Sequence, residues 1–443
     1  MTRRFISLFL VLLTLPASLA LAQKAQPEPP PPTAEVRSAM VDSVRSALLT
    51  YYVFPDAGKS MAAHLERQLR AGAYDTVVTG NALAAAITRD LSTVQKDAHL
   101  RIAYDPEEAR RIADTSVHES HDNLPRDRKN NFNFRTARIL PGNIGYLEFT
   151  QFAEPNAESR RVVRAAMQFV ANTDALILDL RENRGGSAEM GNEIASYFVN
   201  SRAHWSDSYN RLTDKWTEGW IENRPEITGG IQLAMPVTVL TSNWTFSAAE
   251  GLAYGLKYGR QARIVGQSSA GGAHVLRRVD LGNGFVGFIP YIRSANTVTK
   301  TDWEGTGVTP DVPADKPNAL LKAQEAIFAG RLAATKDSAQ IGAINWAINE
   351  ARAVSLDVDV PVNLLDQYAG RFEEYAFSVK GNRLYSVNKS RNDKTDKLTA
   401  ITQMLFQIDQ ESQVEFVRGA GGAVNSIRLL WNDGFVDTIA RAK

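Results

Sequence analysis

The sequence contains no cysteine among its 443 residues. That absence excludes a disulfide framework, a thiolate metal site, a cysteine nucleophile and a lipid-modified N-terminal cysteine. Net charge is also nearly absent: 50 Lys and Arg oppose 49 Asp and Glu, leaving +1. No basic face is therefore expected for nucleic acid or an anionic membrane. Beyond its first residues the chain has no uninterrupted apolar run of the about 18 residues that a membrane span requires, so no integral membrane segment is expected. What remains is an ordinary globular composition, 44% hydrophobic and 22% charged, with length enough for two or three domains.

The opening residues read as targeting. Thr2-Arg-Arg4 is a basic start, Phe5 to Leu15 an apolar core, and Ala20-Leu-Ala22 a small-x-small cleavage site. Residues 1–22 are thus expected to be a secretory signal, and the mature protein to be periplasmic or extracellular. Residues 23–33 form a Pro-rich linker of polyproline II type. From 34 to 105 apolar residues recur at helical spacing: Val36, Met40, Val44 and Leu48, then Met61, Leu65 and Leu69, then Leu83, Ile87 and Leu91. This predicts a helical bundle. It closes on Asp97-Ala-His99, followed by the strand-like alternation Leu100, Ile102, Tyr104. Residues 106–134 are charged and poor in apolar side chains, and read as a solvated linker. Its His118 and His121 share a helical face, but no third ligand stands at a familiar offset, so no metal is expected.

Residues 135–315 alternate strands and helices, which predicts an α/β core. Ile144–Phe149 and Ala175–Leu180 read as strands with a helix near Ser159–Val170 between them. After the second strand, Gly185-Gly186 lets the backbone approach a ligand at the C-terminal edge of the sheet. The segment is neither a Walker loop nor a dinucleotide fingerprint. Pro236–Gly251 then runs from an apolar strand through Thr241-Ser-Asn-Trp-Thr-Phe into Ser247, at the mouth of a predicted helix. There a serine either caps the helix or, among free backbone N–H groups, serves as a nucleophile beside an oxyanion site. Further on come Ile264-Val-Gly266, Ser269-Ala-Gly-Gly-Ala-His274 and Trp303-Glu-Gly-Thr-Gly-Val-Thr-Pro-Asp311.

Taken together, Asp97-Ala-His99, Leu178–Gly186, Thr241–Glu250, Ile264–Gly266 and Gly305–Asp311 resemble the C-terminal processing peptidase superfamily of serine peptidases. That group includes tail-specific proteases, tricorn core peptidases and the interphotoreceptor retinoid-binding protein repeats. The resemblance implies a crotonase-like (ClpP-like) α/β serine peptidase core. It also implies Ser247 as nucleophile and oxyanion donation from Ala248 and from Gly185 or Gly186. The tail-specific branch takes its base from a Lys where this chain has Gly272, which cannot accept a proton. The tricorn-like branch implies His99 as general base with Glu304 in a supporting relay. His274 is the rival base, and Asp97, Asp302 and Asp311 are auxiliary candidates. The interval 106–134 is too short for the PDZ module usual in tail-specific enzymes.

Residues 316–358 are Ala-rich and predicted helical, and 359–443 carry short alternating segments and turns that predict a small antiparallel β domain, read as accessory. The expectation is an α+β and α/β protein that is an exported serine peptidase acting on a peptide or protein substrate without a cofactor. Two alternatives stay open: a non-catalytic protein of the same fold holding an apolar ligand or peptide, and an esterase using the same serine. Composition does not decide the oligomeric state.

Overall fold

A computed structural model of the chain describes residues 31–114 and 123–442. The expected signal segment, most of the Pro-rich linker, and His118 and His121 lie outside the described residues. Three helices come first, α1 (Ala34–Tyr51), α2 (Pro55–Arg70) and α3 (Gly80–Val94). Thr33 and Thr79 cap α1 and α3 by accepting from Val36 and Ala82 N–H, and Pro55 opens α2 with its fixed φ. Their apolar stripes bury Met40, Val44, Leu48, Met61, Leu65, Leu83 and Ile87. The layer is completed from afar: Leu281, Phe285 and Ile289 enter the same core. Strand β1 (Arg101–Tyr104) follows, then α4 (Pro106–Ala113) and α5 (Leu124–Lys129). The charged stretch read as a linker is thus partly helical. Asp105 caps α4, and its buried Glu108 binds Arg278 at 2.7 Å.

Next come β2 (Phe134–Leu140), β3 (Ile144–Phe149), α6 (Ala157–Phe169), β4 (Ala175–Asp179), α7 (Ala188–Ser196), the hairpin β5 (Ala203–Asn210) and β6 (Lys215–Ile221), and α8 (Pro225–Thr228). After these run β7 (Val237–Thr241), α9 (Ala248–Arg260), β8 (Arg263–Gly266), β9 (Val275–Gly282), β10 (Phe285–Asn296) and β11 (Val312–Pro313). One six-stranded sheet has the order β11-β8-β7-β4-β3-β2, parallel except for the β2–β3 pair. Strand β4 is apolar on both faces, as a covered parallel strand must be. Leu176 and Leu178 meet the α6, α7 and α9 side, while Ala175 and Ile177 meet α10 (Ala319–Ala334) and α11 (Ser338–Ser355). A second sheet, β1-β10-β5-β6 with β9 also on β10, packs under the N-terminal helices.

The C-terminal part opens with α12 (Val362–Tyr368), so Leu365 to Tyr368, read as the start of the β texture, are helical. Two antiparallel sheets of four and five strands follow over residues 370–440 and share one aromatic core around Tyr368, Phe372, Phe377 and Phe416. The expected order of helical layer, α/β core and antiparallel β module is present.

Candidate active site

Three loops leave the C-terminal edge of the parallel sheet and converge, from β4, β7 and β8. The loop after β7 is fixed by its own polar residues. Ser242 N–H donates to Thr245 Oγ1 at 2.9 Å, Thr245 Oγ1 donates to Leu180 O at 2.8 Å, and Ser242 Oγ donates to Arg181 O at 2.6 Å. Phe246 N–H donates to Asn183 O at 3.1 Å. Each buried hydroxyl is thereby satisfied, and the β7 loop is stitched to the β4 loop. At its end Ser247 adopts φ +55 and ψ −123, a conformation that L side chains rarely hold, and α9 begins at the next residue.

The two glycines of the β4 loop differ. Gly185 is buried and spends its N–H on Asn183 Oδ1 at 2.8 Å, while Gly186 is exposed. Phe152 pairs with Gly186 in an isolated parallel bridge through Gly185 O and Ser187 N–H, which leaves the Gly186 N–H outside the bridge. Gly186 has φ +119, and a side chain there would collide with Phe152 O, so only glycine fits. Among the described residues no hydrogen bond uses the N–H of Gly186 or of Ala248.

Glu250 lies at the centre of the third connection. It is fully buried and accepts four bonds: Ser247 N–H at 2.7 Å, Ser269 Oγ at 2.5 Å, Gly271 N–H at 2.7 Å and Gly272 N–H at 2.9 Å. Burial pushes its carboxyl above the usual range against those four donors. In the sequence Glu250 stands out only as the last residue of the Thr241–Glu250 motif. Its signal was an acid three residues into a helix after an N-cap serine, followed by a Ser-x-Gly-Gly turn that supplies donors.

His99 arrives from the other side, after the helical layer. Its ring packs on Phe246 with centroids 4.7 Å apart and an interplanar angle of 34°. Its Nδ1 is buried without a hydrogen-bond partner. Burial holds the imidazole down to about 4, the nearby His274 adds to this, and Asp97 opposes it. His99 is therefore neutral near pH 7. No hydrogen bond joins it to Ser247 among the described residues. Gly272 explains why the ring fits: a Cβ there would lie 2.7 Å from His99 Cε1 and run into the Phe246 ring. The volume a side chain at 272 would take is filled by His99 and Phe246.

His274, Asp97 and Glu304 form a separate buried cluster. His274 Nδ1 lies 2.8 Å from Asp97 Oδ2 and 3.5 Å from Glu304 Oε2, and Nε2 lies 3.8 Å from Asp302. Burial works against its charge, but the three carboxylates outweigh that and raise its pKa. Burial also opposes the Asp97 carboxylate, yet bonds from His274, His99 N–H and Tyr52 hold it below the usual range. Among the described residues no hydrogen bond joins Glu304 to the His99 ring. Glu304 accepts from Ala98 N–H at 2.8 Å and from Ala273 N–H at 2.6 Å, tying the chain beside His99 to the chain beside His274. Burial and the charge of Asp97 push the Glu304 carboxyl up. Asp97, His274 and Glu304 bring ligand-type atoms within 4.8 Å of one another, but these oxygens already accept N–H and O–H donors, so the set fits a hydrogen-bonded cluster better than a metal centre. Asp311 stands apart, accepting Ile264 N–H at 2.8 Å and pairing with Lys257 at 2.9 Å.

The chain is 32% identical over 203 residues to a chloroplastic carboxyl-terminal-processing peptidase 2 of Arabidopsis thaliana, covering 44% of this chain and 36% of that one. It is 28% identical over 182 residues to a carboxy-terminal-processing protease of Bartonella bacilliformis, covering 40% of each. The chain thus spans well under half the length of these curated relatives. A putative peptidase structure from Parabacteroides merdae aligns at TM-score 0.47 and 16% identity, covering 67% of this chain and 96% of that one. Residues 34–135 match the N-terminal domain of peptidase S41 in eukaryotic IRBP, and residues 143–314 match peptidase family S41. From its first helix to β11, the chain belongs to peptidase family S41.

Proposed function

We propose that the protein is an exported serine peptidase that cleaves peptide bonds through an acyl-enzyme on Ser247, with His99 as general base. The observation that carries the reading is Ser247 itself: a strained residue at the mouth of α9, next to a Phe246 ring that carries a buried, neutral histidine. Neutral imidazole is the form that takes the Ser247 proton as Oγ attacks the carbonyl and returns it to the leaving amine. The oxyanion is received by the N–H groups of Ala248 and Gly186, the two unspent donors, with Gly185 excluded because Asn183 holds its N–H. The positive end of α9 favours the same negative charge. Glu304 acts by holding the 97–99 and 272–274 segments together, and His274 belongs to that clamp. Export rests on the basic, apolar and small-residue order of residues 1–22.

The test is a fluorophosphonate probe followed by peptide mapping, with Ser247→Ala and His99→Ala alongside. Stoichiometric modification of Ser247, lost in Ser247→Ala and slowed at least about 10²-fold in His99→Ala, is expected. Labelling that survives His99→Ala but not His274→Ala would reassign the base. A folded protein that stays unlabelled would favour a binding role for the same cleft, and ester turnover without peptide cleavage would make it an esterase.

A further inference from the structure

The Gly185-Gly186 pair does not fix its own shape. Gly185 has φ +92 and Gly186 φ +119, and without a side chain neither residue holds its backbone in one well. Yet the peptide between them carries the unspent N–H of Gly186, and it stands beside the nucleophile: a Cβ on Gly185 would lie 2.9 Å from Ser247 Cβ and 3.0 Å from Ala248 N. Something outside the pair has to aim it. Gly185 C=O accepts from Phe152 N–H at 2.8 Å, and because the peptide is planar and trans, the Gly186 N–H points away from Phe152. That holds one side of Gly185. Asn183 holds the other.

Asn183 is fully buried, and each of its polar atoms is bonded within the chain. Its N–H donates to Leu180 O at 3.0 Å and its Nδ2 to Phe149 O at 2.9 Å, while its Oδ1 accepts Gly185 N–H at 2.8 Å and its C=O accepts Phe246 N–H at 3.1 Å. One residue thus ties together the end of β3, the β4 loop and the residue before Ser247. Asn296 and Asn388 are buried too, but each spends its Oδ1 on N–H groups of its own turn, two or three residues on. The Asn183 side chain places Gly185 and its carbonyl places Phe246, so the spacing between the Gly186 and Ala248 N–H groups is set through one residue.

We propose that Asn183 is a positioning residue of the oxyanion site, acting through Gly185 to aim the Gly186 N–H at the oxygen that Ala248 also receives. The inference rests on the peptidase reading of the site. Removing the amide leaves Gly185 N–H and Phe149 O without these partners, and the glycine peptide turns to find others. Ser247, His99 and the Ala248 N–H stay in place, so binding survives while stabilisation of the developing charge is lost.

Two probes read this in the full-length protein, with urea midpoints measured alongside. The first is a fluorophosphonate, whose phosphoryl oxygen takes the place of the substrate oxygen; its labelling of Ser247 is resolved into reversible affinity and maximal rate. Asn183→Ala is expected to keep the affinity within about twofold and to lower the maximal rate about 10²-fold, the loss typical of one oxyanion donor. The second is a straight-chain alkyl trifluoromethyl ketone. Ser247 Oγ adds to its carbonyl carbon, the hydroxyl proton passes to His99, and the π pair of the C=O bond moves to the oxygen, giving a hemiketal oxyanion. Followed by fluorine NMR, that oxygen is expected to take up its proton about two pH units higher in Asn183→Ala than in the wild type, because the charged form has lost a donor. A residue that only supports the fold would lower the urea midpoint and leave this titration where it was.

A folded Asn183→Ala protein that labels at the wild-type maximal rate, as it would if the freed Gly185 N–H served instead, overturns the assignment, and so does a slower rate with an unmoved hemiketal titration. Should Asn183→Ala not fold, Asn183→Asp decides. Its neutral acid, which burial favours, donates to Phe149 O and accepts from Gly185 as the amide does, whereas its carboxylate cannot donate and sets a charge against the oxyanion. Its labelling rate is expected to fall at least about tenfold from pH 5 to 8; a profile as flat as that of the wild type overturns the assignment. An unlabelled wild type overturns the peptidase reading and this inference with it, while a labelled wild type indifferent to Asn183 overturns this inference alone.

Discussion

His99 follows Asp97 by two residues and His274 meets the same Asp97 at 2.8 Å, yet their environments drive them apart. His99 is held down to about 4 by burial with an unpartnered ring nitrogen, whereas His274 is raised because three carboxylates surround it. This separates the two candidate bases by pH. A base must be unprotonated, and His99 gains its proton only as pH falls through about 4. With His99 as base, the rate of fluorophosphonate labelling is expected to stay flat from pH 8 to about 5 and to drop only near 4. With His274 as base it would fall as pH drops through a value above the ordinary histidine range, so a limb above pH 6.5 would sink the assignment. Gly272 supplies a second residue-scale prediction. Gly272→Ala puts a methyl group 2.7 Å from His99 Cε1, so the ring must shift, and a shift on the order of 1 Å is expected to cost about 10²-fold in labelling rate. An unchanged rate would mean that His99 is not where the chemistry needs it.

At the scale of elements, helix α9 shows local preference losing to packing. Gly255 lies in its middle, where Ala would gain about 1 kcal/mol of helix propensity. A Cβ there would overlap the Trp205 ring of β5, itself only 8% exposed. Gly255→Ala is expected to destabilise the protein by about 1–2 kcal/mol net, seen as a lower urea midpoint, because overpacking a rigid aromatic contact outweighs the propensity gain. A higher midpoint would show that the contact yields. Such long-range contacts also mark where the sequence stopped being legible. Strands β3 and β4, helices α6, α10 and α11, and Ser247 at the mouth of α9 follow local periodicity and turn chemistry, so their expected places match. The β5–β6 hairpin and the half of β10 beyond Ile289 do not: β10 continues through Pro290, and β5 and β6 are polar strands of mixed burial, whereas Phe285–Ile289 reads as a strand in the sequence. Their signal weakens because pairing across β10 outweighs local pattern. Within the candidate site, the types His, Ser and Glu were readable from motifs. That Glu304 clamps Ala98 and Ala273, and that Asn183 takes the Gly185 N–H, depend on approaches over long sequence separation that no spacing encodes.

At the scale of the whole molecule, the site is composite. Ser247 and Gly186 come from loops of the parallel sheet and Glu250 from the first turn of α9, whereas Asp97 and His99 come from the end of the helical layer, and Glu304 joins the two. The helical layer is in turn completed by Leu281, Phe285 and Ile289. The helical layer thus has no finished core alone, and neither part has a finished site alone. The C-terminal β region has its own aromatic core and meets the rest through α11, where Asn349 Nδ2 donates to Gln413 Oε1 at 2.9 Å. Among the described residues none of its side chains hydrogen-bonds to the cluster around Ser247. A chain stopped after Asp357 is therefore expected to fold and to label at Ser247 at the full-length rate, and to lose one of two calorimetric transitions. Phe285→Ala in the full chain is the counterpart. It opens the core that the helices share with β10, is expected to cost about 3–5 kcal/mol, and should lower the remaining transition while sparing the one lost on truncation. One transition in the full chain, or loss of labelling on truncation, would show that the β region supports the site through contacts stronger than the α11 junction.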